Sequence, residues 1–135
     1  MNDAAIGSTN YASAPNRFLG DWSAFTTTDS VFFDIYEVNT SGGAWINVHQ
    51  VRIEGPGGAA WANDPAIILP APQSAWIHVR VMTDPADWTL ESGTWEGLLA
   101  NVTSLRIMAE WIDGGETTWL DNIGISRVPA PPAGG

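Results

Sequence analysis

Short runs of alternating apolar and polar residues dominate the chain. In "SVFFDIYEV", Val31, Phe33 and Ile35 alternate with Phe32, Asp34 and Tyr36. In "HQVRIEG", Val51 and Ile53 alternate with Gln50, Arg52 and Glu54. "WIHVRVM" sets Ile77, Val79 and Val81 against Trp76, His78, Arg80 and Met82. "LRIMAEW" sets Leu105, Ile107 and Ala109 against Arg106, Met108 and Glu110. Side chains on a strand alternate between its two faces, so a period of two predicts half-buried antiparallel strands. Turn-forming clusters separate the runs: "NTSGG", "GPGG", "LPAP", "TDPAD" and "DGG". One stretch, "TWEGLLANV", breaks the period. Thr94 is placed to cap a helix and Glu96 to sit in its first turn, which predicts one short helix near residues 94–100. Many strands and one minor helix predict an all-β fold, an antiparallel β-sandwich of the jelly-roll kind. The domain is expected to span 1–126, with the Pro- and Gly-rich 127–135 as a tail.

Length and composition narrow the function classes. A chain of 135 residues with 44% hydrophobic residues is sized for one domain with a real core. Five Arg, no Lys and fifteen acids give a net charge of −10. That excludes the basic footprint that nucleic acids or anionic membranes require, and it suits a neutral or cationic partner. The absence of Cys rules out thiolate catalysis, disulfides and thiolate metal sites. No apolar run is long enough to span a membrane. The start, "MNDAAIGSTNY", is polar without a basic n-region and reads as no signal peptide.

Three motifs in order, FLGDWSAF, LLANVTSLRI and LDNI, together with "VFFDIYEV", "VRIEGPGG" and "WIHVRV", resemble the laminin B-type (laminin domain IV) module, particularly its versions in bacterial exported proteins. The resemblance covers roughly residues 11 to 126. It implies a jelly-roll sandwich akin to carbohydrate-binding modules, located outside the cell or on its surface, with no catalytic centre. The tail "VPAPPAGG" is similar to the start of bacterial Val-Pro-x-Pro sorting signals. Family members carry a further strand before the position of Asp3. Its absence here predicts an unpaired sheet edge and a possible homo-oligomer formed by β-strand pairing.

Catalytic readings are weak. The acid pairs Asp84/Asp87, Glu91/Glu96 and Asp113/Glu116 lie in turn-rich stretches, where carboxylates cap backbone amides. The two histidines, His49 and His78, have no metal-ligand spacing, and "EGPGGAAW" lacks the Gly-Lys ending of a phosphate loop. No enzyme activity is expected. The better lead is aromatic. Sugars present flat C–H faces with hydroxyl rims, so a glycan site needs aromatic platforms beside planar polar groups. The outward positions supply Tyr36, Gln50, Arg52, Trp76, His78, Arg80, Arg106 and Glu110 as the expected ligand-binding set, with Asp34 and Glu54 beside them. If their strands share one sheet, they line one face. The expected partner is a polysaccharide or other glycan; the alternative is a matrix protein that self-associates or binds protein through sheet edges. Trp61, Trp88, Trp95 and Trp119 are expected to anchor loops over the sandwich ends.

Asp121 stands apart. Strict alternation through "LDNIGI" puts Ile123, Ile125 and therefore Asp121 toward the core. A buried carboxylate must be paired, hydrogen-bonded or metal-bound. Two roles are open: a ligand of a structural calcium, as the resemblance implies, with Asp3 as a second metal ligand, or a clasp accepting backbone N–H groups from the N-terminal part of the chain.

Overall fold

A computed structural model describes residues 2–3, 11–40, 42–45, 49–72, 74–109, 111–112 and 116–130. Nine strands are present among them: β1 (Asn2–Asp3), β2 (Tyr11–Ser13), β3 (Ser30–Asn39), β4 (Val51–Gly55), β5 (Gly58–Ala62), β6 (Trp76–Met82), β7 (Trp88–Gly93), β8 (Ser104–Met108) and β9 (Glu116–Ile125). They form two antiparallel sheets, β1-β9-β3-β6 and β2-β8-β4-β5-β7. Only β4 and β5 are both consecutive and paired among the described strands, so nearly every pairing joins distant parts of the chain. The fold is the expected all-β sandwich.

The core lies where the alternation puts it. Val31, Phe33, Ile35, Val79 and Val81 from the first sheet pack with Val51, Ile53, Ala60, Leu105 and Ile107 from the second. Trp22 and Trp111 are fully buried at the rims, and each indole finds an acceptor: Trp22 Nε1 donates to the Phe18 carbonyl at 2.9 Å and Trp111 Nε1 to the Met108 carbonyl at 3.1 Å. The single helix, α1 (Trp95–Ala100), is capped as its sequence predicts, Thr94 Oγ1 accepting from the Gly97 N–H at 3.0 Å. It buries Leu98 and Leu99. Its backbone rests directly on the β4–β5 turn, where a Cβ on Gly57 would lie 2.2 Å from the Gly97 carbonyl oxygen.

The outer edge of β6 is dressed by side chains. Asp64 Oδ2 accepts from the Arg80 N–H at 2.9 Å, and the Met82 carbonyl accepts from Trp88 Nε1 at 2.8 Å. These groups occupy edge positions that another strand would use. At the far edge of the first sheet, β1 pairs with Glu116 and Thr117 of β9.

Residues after Ser126 continue to make contacts. Arg127 Nε lies 2.9 Å from Asp29 Oδ2, and Ala130 exchanges both backbone hydrogen bonds with Asp21, at 2.8 and 3.0 Å. The segment 127–130, expected as a free tail, is therefore fastened to the domain.

Candidate functional site

The outward face of β9-β3-β6 carries three rows of side chains across the strands. The first row is aromatic. Register places Tyr36 opposite Trp76 on one side and Trp119 on the other. Both tryptophan rings meet Tyr36 edge-on, at 5.5 Å and 63° for Trp76 and 5.5 Å and 74° for Trp119. Trp76 remains 55% exposed and Trp119 48%, so each indole meets Tyr36 and still faces solvent. Cross-strand aromatic pairs of this kind stabilise a sheet, and here they also leave two indoles half in solvent.

The second row is polar. Asp34 sits opposite His78 on β6 and Asp121 on β9. Its Oδ1 lies 2.6 Å from His78 Nδ1, and its Oδ2 accepts from Asn122 Nδ2 at 2.8 Å. The Asn122 amide, then His78, hold the Asp34 carboxyl below its ordinary range despite some desolvation. The third row pairs Arg80, its guanidinium 5.5 Å from the Phe32 ring centroid, with Phe32 itself, whose ring lies over Gly124. A Cβ at position 124 would come within 2.6 Å of that ring.

This face gathers Tyr36, Trp76, His78 and Arg80 from the expected set. It leaves out the others. Arg52 and Arg106 belong to β4 and β8 and lie on the outward face of the opposite sheet. There Arg52 is already engaged: it grips Glu91 with two nitrogens at 2.5 and 2.9 Å and Glu54 with a third at 3.1 Å. Glu91 in turn is held below its usual range by Arg52. Arg106 reaches Glu54 at 3.5 Å, and His49 stacks on Trp61 at 4.2 Å nearby. The expectation of one shared face is thus corrected: a period of two separates inside from outside but does not say which sheet a strand joins.

Gln50 is a second correction, being fully buried. It precedes β4, directly after His49 at φ 46°, where the strand's alternation has not begun. Its Oε1 accepts from the Asp64 N–H at 2.7 Å. Glu110 and Asp113 lie outside the described residues. Of the other acids weighed as catalytic, Asp84 Oδ1 caps Ala86 at 3.0 Å.

Asp121 overturns its expected burial. It is exposed, and its Oδ1 accepts from the adjacent Asn122 N–H at 2.8 Å. The cause is an extra residue in β9. Phe32 pairs with Gly124 but Asp34 with Asp121, so three steps on β9 match two on β3. Asn122 takes up the difference at φ 53°. Asp121 and Asn122 therefore both face outward, while Leu120 and Ile123 pack against the core. Asp3 pairs with Glu116, five positions along β9 from Asp121, roughly 16 Å at the strand rise of about 3.3 Å per residue. Calcium–oxygen bonds of about 2.3–2.6 Å do not bridge that distance. Among the described residues no group of three or more His, Asp or Glu side chains is disposed to hold a metal.

Trp119 and Asn122 were missed in the sequence. The signal for Trp119 was available in "TTWLD", where it alternates with the inward Thr118 and Leu120. Trp119, expected to anchor a loop, instead lies within β9.

The architecture has a counterpart among solved structures. The fold is laminin-like. The L4b domain of human laminin alpha-2 superposes with a TM-score of 0.66 over 87% of this chain and 69% of that one, at 13% sequence identity. Neither a family model nor a curated protein matches the sequence. The laminin-like likeness therefore concerns the fold, and the rows on β9-β3-β6 belong to this chain's own sequence. No helix among the described residues is long and apolar enough to cross a membrane.

Proposed function

We propose that this protein is a non-catalytic extracellular module that binds polysaccharide or another glycan along the outward face of β9-β3-β6. The observation that carries the reading is the row Trp76-Tyr36-Trp119, two half-exposed indoles flanking a tyrosine. Such rings offer apolar faces to the C–H faces of sugars, and His78, Asn122 and Asp34 one row away offer hydrogen-bonding groups to hydroxyls. The laminin-like fold supports placement in a matrix or surface context.

The test is retention on immobilised or insoluble polysaccharides for the native protein, Trp76→Ala and Trp119→Ala. Both substitutions are expected to reduce retention while the melting temperature stays near the native value. Unchanged retention in both variants would overturn the proposal. So would a collapse of stability large enough to make either ring part of the core.

A further inference from the structure

We propose that the glycan taken by this face carries free amino groups, with the ammonium of an amino sugar seated between Asp34 and Asp121 beside the aromatic row. This rests on the reading of that face as a glycan platform. Asp34 and Asp121 are direct cross-strand partners. Like charges so placed oppose strand pairing. Asp34 is partly quenched by Asn122 and His78. Among the described residues Asp121 accepts the N–H of its own neighbour alone, on Oδ1, and it is exposed. A cation between the two carboxylates would relieve the repulsion.

The setting favours an organic cation over a bare ion. The row holding the two acids is two residues along the strands from Trp76, Tyr36 and Trp119, about 7 Å at the strand rise. A sugar stacked on those rings can present a substituent to the acids, and the rings attract a nearby cation by their quadrupoles. The positive groups of this face lie elsewhere. Arg80 is one row further out, over Phe32, and His78 is bound to Asp34. The other four arginines of the chain are off this face: Arg52 and Arg106 pair with acids on the opposite sheet, Arg127 pairs with Asp29, and Arg17 lies over Phe18. With a net charge of −10, the protein is poorly matched to uronic-acid or sulfated chains.

The experiment compares binding of the full chain to three polymers at mildly acidic pH: a glucosamine polymer, its N-acetylated counterpart and a uronic-acid polymer. Two charge-removing variants are measured beside it. Asp121→Asn keeps the Oδ1 acceptor and removes the charge. Glu96→Gln removes the same charge from the exposed first turn of α1, away from the face. The expected order is glucosamine polymer tightest and uronic-acid polymer weakest. Asp121→Asn should lose about fivefold on the glucosamine polymer, the worth of one charge at contact distance in water, and nothing on the acetylated one. Glu96→Gln should change neither. If the acetylated polymer binds as well as the amine form, the amino-sugar inference fails while the platform stands. If Glu96→Gln loses as much as Asp121→Asn, the preference is a property of overall charge and the inference again fails. If no polymer binds and Trp76→Ala changes nothing, the platform reading itself fails.

Discussion

Arg127 Nε stands 2.9 Å from Asp29 Oδ2, and that contact ties the outgoing chain to the turn that launches β3. Asp29 also accepts from the Thr26 N–H at 2.8 Å and from Ser126 Oγ at 2.9 Å, and Ser126 Oγ in turn accepts from the Ser30 N–H. Three residues from two distant segments, Thr26, Ser126 and Arg127, thus converge on one carboxylate.

A pH dependence follows. The Thr26 amide first, then Arg127, hold the Asp29 carboxyl at about 2, below its ordinary 3.8. A carboxyl lowered by folding stabilises the native state above its unfolded value, and that contribution disappears as pH falls through the folded one. The window is therefore from about 4 down to about 2. Thermal unfolding of native protein and Asp29→Asn across that range is expected to show a steeper loss on acidification for the native chain. Parallel curves would remove Asp29 as the cause.

Truncation after Ser126 is expected to lower the melting temperature, because it removes the Arg127 ion pair and both Ala130 hydrogen bonds. Truncation after Ala130 keeps them and is expected to be neutral by comparison. Equal melting temperatures for the two truncations would show that 127–130 adds nothing to the domain.

Glu37 is fully buried on the core side of β3, and its Oε1 has no hydrogen-bond partner among the described residues. Its Oε2 accepts from Thr118 Oγ1 at 2.7 Å, while the Ala109 carbonyl lies 3.1 Å from the same hydroxyl. Replacing a poorly satisfied buried carboxyl by an apolar group of similar volume is often neutral or stabilising, and here the hydroxyl keeps Ala109 as acceptor. Glu37→Met is expected to gain about 1 kcal/mol in urea unfolding. A loss of that size would mean that the carboxyl has a structural role.

Asp121→Ala is expected to change stability by no more than about 0.5 kcal/mol, as for an exposed side chain with one local hydrogen bond. Trp22→Ala, at a fully buried indole, is expected to cost about 3–5 kcal/mol. A calcium-dependent melting temperature that vanishes in Asp121→Ala would instead establish a metal at that residue.

The sandwich could be read from the sequence because its strands are half buried, and burial writes itself directly into alternation, as in Val31, Phe33 and Ile35. The helix could be read because Thr94 is a local cap. The candidate face was half legible. Trp76, His78 and Arg80 declare themselves outward on β6, but their meeting with Tyr36 and Trp119 depends on pairings between segments about forty and eighty residues away from β3. Alternation carries no information on that choice, and so Arg52 and Arg106 were grouped with residues of the other sheet. Gln50 misled because a residue just before a strand need not follow its alternation.

The extra residue in β9 has a consequence for variation along this chain. The strand has two halves in opposite phase, and Asn122 is the joint between them. Deleting one residue there would cost few backbone bonds, since the straightened ladder could still pair with β3. Without Asn122 the facing of the first half would be kept, since Ile123, Asp121, Leu120, Trp119 and Thr118 would then alternate without a break, Trp119 and Asp121 in water and Thr118 and Leu120 inward. At this point the chain can lose a letter and keep its pattern, whereas straightening the strand with all its letters in place would turn the first half inside out.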